Sequence, residues 1–127
     1  MLVVIDTNIL VSAFWSKDSK PASILNMVLT GRLTPCFDHR ILQEYHAVLS
    51  RPRFGFSDAE IQAVLQFIEA AGYSVTPEPV NIAFTDESDK KFYEVAKFCA
   101  AKLITGNLKH FPKEPDIITP AAFLATL

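Results

Sequence analysis

Asp6 follows directly on the apolar run Leu2-Val3-Val4-Ile5 and is itself followed by Thr7 and Asn8. A carboxylate delivered by a buried strand has two readings. It can cap the helix that comes next by accepting backbone N–H bonds, or it can act as a ligand at the strand's tip. Glu44 lies three residues after Ile41 and four before Val48, at the edge of a helical apolar stripe. Its stem can pack while its head reaches water, or its partly desolvated carboxylate can join a site. Asp86, Glu87 and Asp89 form a third acidic group. Asp89 stands three residues before Phe92, at a helix start, where the dipole favours an anion. Capping by Ser88 or Asp89 accounts for one acid but not for the cluster. Lys90 and Lys91 come next and are read as a solvated face rather than as phosphate contacts.

Gathered at one place, Asp6, Glu44 and Asp89 would repel and raise one another's pKa. A hard divalent cation resolves that conflict, since Mg²⁺ or Mn²⁺ takes oxygen ligands. Such an ion can activate water and stabilise the leaving oxygen of a phosphodiester. Other chemistries fit less well. The chain has no G-x-x-x-x-G-K-[ST] or G-x-G-x-x-G stretch and only 4 glycines, so a phosphate-cradling loop is not expected. His39, His46 and His110 lack metal-ligand spacing, and Ser12 and Ser16 lack a nucleophile-elbow context.

The acids must be carried by a scaffold, and the hydrophobic pattern supplies one. Leu2–Ile5 has the form of a buried parallel strand. "TNILVSAF" follows as a short helix or turn, and "SKDSKP" as a polar loop. Pro21 suits the first turn of a helix over Ala22 to Thr30, which Gly31 ends. "LTPCF" is a second short strand in spite of Pro35. Ile41, Leu42, Tyr45, Val48 and Leu49 form the stripe of a helix over Arg40–Ser50, stopped by Pro52. Ser57 and Glu60 make a capping box for a helix carrying Ile61, Val64, Leu65 and Ile68, closed by Gly72. "YSVT" can form a strand before "PEP" breaks it. A helix from about Ser88 to Ala101 turns Phe92, Val95, Ala96 and Cys99 inward. "KLIT", ended by Gly106, and "DIIT" are the last strands, and Pro120 starts a final short helix. Strands alternating with helices predict an α/β sandwich around a mostly parallel sheet. Ligands in such folds bind beyond the carboxyl ends of the strands, where Asp6 and Thr105-Gly106-Asn107 fall.

The totals are compatible with this. A chain of 127 residues, 50% hydrophobic and 20% charged, predicts one globular domain over 1–127. No apolar run approaches the length of a membrane span, and the start does not resemble a signal peptide. Cys36 and Cys99 form no C-x-x-C, as expected of buried reduced thiols in a cytoplasmic protein. A net charge of −2 disfavours a generic polyanion binder, yet an acidic metal cluster can coexist with basic residues that touch phosphate.

The blocks "VVIDTNILVSAF", "ILQEYHAVLSRPRF", "DESDKKFYEVAKF" and "KLITGNLKHFP", in this order, resemble the PIN domain, a family of small metal-dependent ribonucleases. Many bacterial members are toxins of toxin–antitoxin pairs, and the resemblance spans nearly the whole chain. It implies a three-layer α/β/α sandwich with a central, mostly parallel sheet of about five strands. It implies Mg²⁺ or Mn²⁺ as cofactor, RNA as substrate, a small antitoxin as partner and a homodimer, to which Trp15 and Phe14 could contribute. Asp6 matches the family's first acid, Glu44 the second, and Asp89 or Asp86 the third. Thr7 and Asn8 match the polar pair that shapes the site, together with Thr105. The family's fourth acid falls on Asn107, a neutral amide, which departs from the pattern and weakens the second-metal end. Hydrolysis by a metal-activated water would leave a 3′-hydroxyl and a 5′-phosphate. Arg51, Arg53, Lys109 and His110 are candidate RNA contacts, with Arg53 beside Phe54 suited to single-stranded RNA. A PIN-fold protein that binds RNA or antitoxin without cleaving is the alternative.

Overall fold

The computed structural model describes residues 1–127. Its elements run β1 (Leu2–Ile5), α1 (Thr7–Trp15), α2 (Lys20–Leu29), β2 (Thr34–Phe37), α3 (His39–Leu49), α4 (Asp58–Ala71), β3 (Tyr73–Ser74), α5 (Lys90–Cys99), β4 (Lys102–Ile104), β5 (Ile117–Ile118) and α6 (Pro120–Ala125). Short 3₁₀ turns at Pro52–Phe54, Glu87–Asp89 and Leu108–His110 punctuate the loops. The sheet has five strands in the order β3-β2-β1-β4-β5, and every pairing is parallel. The expected α/β architecture is therefore present. β1 lies at the centre, which explains its run of apolar β-branched residues: Val3, Val4 and Ile5 are all buried.

Local sequence signals account for most boundaries. Ser19 caps α2 by accepting the Ala22 N–H, with Pro21 in the first turn, so the helix begins slightly before Ala22. Asp38 caps α3 through the Ile41 N–H at 3.0 Å. Ser57 caps α4, but the capping box is only half formed, because Glu60 reaches Lys17 instead. "TNILVSAF" resolves as a full helix whose buried face is Ile9, Leu10, Ala13 and Phe14. The predicted helix from Ser88 is shorter than expected. A 3₁₀ turn occupies Glu87–Asp89, and Ala100 at φ 51° ends α5. Cys99 is only half-buried, not fully inward, while Cys36 is buried in β2. Both thiols are free, and burial pushes that of Cys36 up to about 12.

Pro35 sits in an interior strand, where it would ordinarily remove a ladder bond. The neighbouring Thr34 N–H points toward β1 and bonds Met1 O at 2.9 Å. Strand alternation turns Pro35 the other way, toward β3. That strand pairs only with Cys36 and Phe37, so no N–H is needed at Pro35. The chain passes very close on this side. A Cβ on Gly72 would lie 2.3 Å from Pro35 O and 2.7 Å from Ile68 O.

Helix α5 packs on β1, β2 and β4, α3 and α4 pack on β2, and α1 is braced by α2 and α3. The carboxyl ends of β1 and β4 thereby meet the starts of α1 and α5 and the middle of α3. Gly72→Ala is expected to lower the unfolding free energy by about 2 kcal/mol, because two backbone carbonyls must move. Gly106→Ala, with nothing within 4 Å of the added carbon, should be within about 0.5 kcal/mol of wild type. Urea denaturation of the two variants measures the contrast.

Candidate metal centre

Asp6 occupies the N-cap position of α1, but its side chain makes no capping bond. The capping explanation of this acid is therefore overturned. The parallel pairing of β1 with β4 sets Ile5 beside Ile104, and the Asp6 N–H continues it by bonding Ile104 O at 3.0 Å. The next residue of β4, Thr105, is thus brought against Asp6. Its hydroxyl donates to Asp6 Oδ2 at 2.7 Å and accepts the Asn107 N–H at 3.0 Å. Asp6 is 5% exposed and Thr105 fully buried. Thr105 and Asn107 therefore orient the carboxylate directly and through one relay.

Glu44 comes to the same place because α3 is pinned over the end of β1. The buried Tyr45 hydroxyl donates to Ile5 O. Thr7, the residue after Asp6, donates its hydroxyl to Glu44 Oε2. Lys91 Nζ stands 2.8 Å from Glu44 Oε1 and also donates to Ser88 O. Lys91 is 9% exposed, which corrects the expectation of a solvated face. From the second position of α5, the side chain lies back over the acidic site, where it meets Glu44 and a carbonyl. Lys90 is also partly covered.

Asp86 and Asp89 have different roles. Asp86 is exposed and accepts both the N–H and the hydroxyl of Ser88, which forms the local turn. Those bonds lower its pKa. Asp89 is turned inward, with 15% of its side chain exposed. Its Oδ2 is buried, and His110 is its only polar neighbour. His110 Nδ1 stands 3.2 Å away as an ion-pair partner when protonated. The geometry thus favours Asp89 over Asp86 as the inward acid.

The acids act on one another. Burial chiefly raises the pKa of Asp6; the Thr105 hydrogen bond opposes this, and the charges of Asp89 and Glu44 add to it. Asp89 is raised first by burial and then by Asp86. A cation would relieve this repulsion, and the all-oxygen donors of Asp6, Glu44 and Asp89 suit a hard divalent ion. The side chains do not yet form a ligand cage: no group of three or more His, Cys, Asp or Glu is gathered to hold an ion. Glu44 is instead engaged by Thr7 and Lys91.

An open groove of about 630 Å³ borders the acids between α3 and α5, lined by Arg40, Gln43, Glu44, Ala47, Glu87, Lys90, Lys91 and Glu94. Arg40 pairs with Asp38 and Glu94 across its floor, and Glu94 also accepts the Val80 N–H. Asp38 and Glu94 were not singled out from sequence, Tyr45 was read only as part of an apolar stripe, and Lys91 only as a solvated face. Lys91 and Glu94 lie three residues apart, a spacing that puts both on one helical face, and that signal was available. Of the candidate RNA contacts, Arg51, Arg53 and Lys109 are exposed, with Arg53 over the Phe54 ring at 5.2 Å. His110 instead faces Asp89. Asn8 is exposed. Phe14 is core, whereas Trp15 is 66% exposed beside Phe54 and Phe56.

A family model described as a PIN domain matches residues 2–109. Among solved structures, the chain is similar to VapBC2 from Rickettsia felis, seen in a crystal bound to a DNA fragment from their promoter. The two are 19% identical, with 94% of this chain and 97% of that chain covered and a TM-score of 0.57. That likeness bears on the fold. No curated protein matches the sequence.

Burial holds Asp6 and Asp89 above their ordinary value of 3.8, so the folded chain binds these protons more tightly than the unfolded one. Their contribution to apo stability is complete below 3.8 and is lost as pH rises through the raised values. Asp6→Asn keeps an oxygen that can accept from Thr105. It should match wild type in acid and exceed it by about 1 kcal/mol at neutral pH without metal. Chemical denaturation across pH measures this. A neutral-pH loss of stability would mean that the Asp6 charge is structurally favourable.

Proposed function

This chain belongs to the PIN domain family, and on that premise we propose that it is a Mg²⁺- or Mn²⁺-dependent endoribonuclease, the toxin of a toxin–antitoxin pair in the cytoplasm. The observation that carries this is the buried Asp6 at the carboxyl edge of a parallel sheet, with Asp89 and Glu44 close enough for their charges to raise its pKa. Asp6 and Asp89 would hold the ion, with Glu44 joining them. When bound, the ion supplies the charge that activates water and stabilises the leaving oxygen of a phosphodiester.

The chain's own residues prepare this. Thr105 holds one Asp6 oxygen, leaving the other to face the site. Thr7 orients Glu44. The Nδ1 of His110 faces Asp89, and 51% of the imidazole remains exposed to reach phosphate. Lys90 and Arg40 border the groove along which a strand would lie. Arg51, Arg53 and Lys109 are further RNA contacts, and stacking on Phe54 suits unpaired bases. Trp15 gives an apolar surface for a second copy of the chain or an antitoxin. The Rickettsia felis neighbour is a VapBC2, which supports an antitoxin partner here.

A non-cleaving binder is the second reading, favoured by the neutral Asn107 and by the ion pair on Glu44. RNA cleavage with and without Mn²⁺ separates the two. Asp6→Asn and Asp89→Asn are each expected to reduce Mn²⁺-dependent cleavage by at least about 10²-fold, the scale of a lost group that acts on the reacting charge. Equal residual cleavage in the wild type and both variants would overturn the nuclease assignment.

Asn107 donates its N–H to the hydroxyl that holds Asp6, so a carboxylate there would add negative charge near the site. Asn107→Asp should lower the Mn²⁺ concentration for half-maximal cleavage, because hard cations favour charged oxygen, and should slightly destabilise the apo protein. A metal titration of both forms is the measurement. Unchanged Mn²⁺ dependence would place residue 107 outside the ion's reach.

A further inference from the structure

We propose that Lys91 is an internal cation that competes with the divalent ion for Glu44, so that metal binding requires the ammonium to swing off the carboxylate. This rests on the metal-dependent function proposed above and goes further, by naming the element that sets metal affinity.

The geometry is specific. Lys91 Nζ lies 2.8 Å from Glu44 Oε1, with 11% of its side chain exposed. It has a second anchor on Ser88 O, and it lies 5.0 Å from the centre of the Phe92 ring. A surface lysine would not be held on three sides. The other Glu44 oxygen is taken by Thr7, so no Glu44 oxygen is free. Asp6 and Asp89, which Lys91 does not contact, are left repelling each other, with only His110 beside the Asp89 Oδ2. Of the three acids, Glu44 alone is paired with a lysine ammonium. A divalent ion carries twice the charge of the ammonium and can contact several carboxylates at once. It therefore gains more from the cluster, but only after the Glu44–Lys91 contact is given up.

The released ammonium would not have far to go. Lys91 lines the groove beside Lys90 and Arg40, where an RNA phosphate would offer it a new anionic partner. Metal and RNA binding are thereby coupled: phosphate in the groove draws Lys91 away from Glu44 and favours the ion. In the absence of RNA the ammonium holds metal affinity down.

Calorimetric Mn²⁺ binding to the full chain, without RNA, tests this. Lys91→Met keeps the apolar stem and removes the charge, and it should bind Mn²⁺ about tenfold more tightly than wild type, the scale of one lost charge at a partly buried contact. Its apo melting temperature should fall and its Mn²⁺-induced rise in melting temperature should exceed that of wild type. Lys91→Arg should stay near wild type in affinity. Lys91→Gln, which can still bond Glu44 and Ser88, is the alternative if the methionine variant does not fold. An affinity unchanged in the neutral variants, with Asp6→Asn abolishing binding throughout, would overturn the competition while leaving the metal site intact. Mn²⁺ binding by neither the wild type nor any variant would remove the metal site itself, and the competition with it. A duplex-free oligoribonucleotide with a non-hydrolysable backbone should tighten Mn²⁺ binding to wild type more than to Lys91→Met. Equal tightening would refute the coupling.

Discussion

A carboxylate almost entirely out of water at the tip of the central strand is the constraint on which this structure turns. Asp6 cannot be left alone there, because burial and two neighbouring acids both oppose its charge. The chain answers with a buried hydroxyl from β4, itself held by a backbone N–H. That answer is available only because β1 and β4 are adjacent and in register at Ile5 and Ile104. Sheet order and site chemistry are in this sense one problem.

The same strand tip organises the helices. Tyr45 bonds the carbonyl of Ile5 and Thr7 bonds Glu44, so α3 is tied to both sides of Asp6. Helix α5 brings opposite charges to the site. Asp89 at its start adds to the repulsion, and Lys91 two residues later relieves it at Glu44. Arg40 performs a parallel task lower in the groove, between the buried Asp38 and Glu94. Breaking any such pair leaves an uncompensated buried charge, whose cost exceeds the net worth of the pair. The acids are therefore held by cationic and hydroxyl partners from other segments of the chain.

Function in a PIN domain is carried by the site and not by the fold alone. Asn107 contributes its backbone to the Thr105 relay while its side chain offers no charge. The region around Asp6 and Asp89 remains electrostatically prepared for a cation, and that preparation comes from burial, which a single amide does not undo.

Much of this was decided by local sequence. The apolar Leu2–Ile5 run, the cap at Ser57, Pro21 and Pro120 at helix starts and the stripe of α3 each act through neighbours within one turn or one strand, so an alternating parallel α/β order was legible without coordinates. Asp6, Glu44 and Asp89 were legible from their places at a strand end, a helix edge and a helix start, and resemblance to a family then matched them. Contacts between distant segments were not legible. That Asp6 accepts from Thr105, 99 residues away, depends on strand register. That Asp89 faces inward while Asp86 forms a turn depends on where the 3₁₀ segment breaks. That Lys91 is buried depends on a carboxylate arriving from α3. A lysine's charge predicts exposure whenever its partner is unseen, and only the packing of α5 against α3 brought the partner to it.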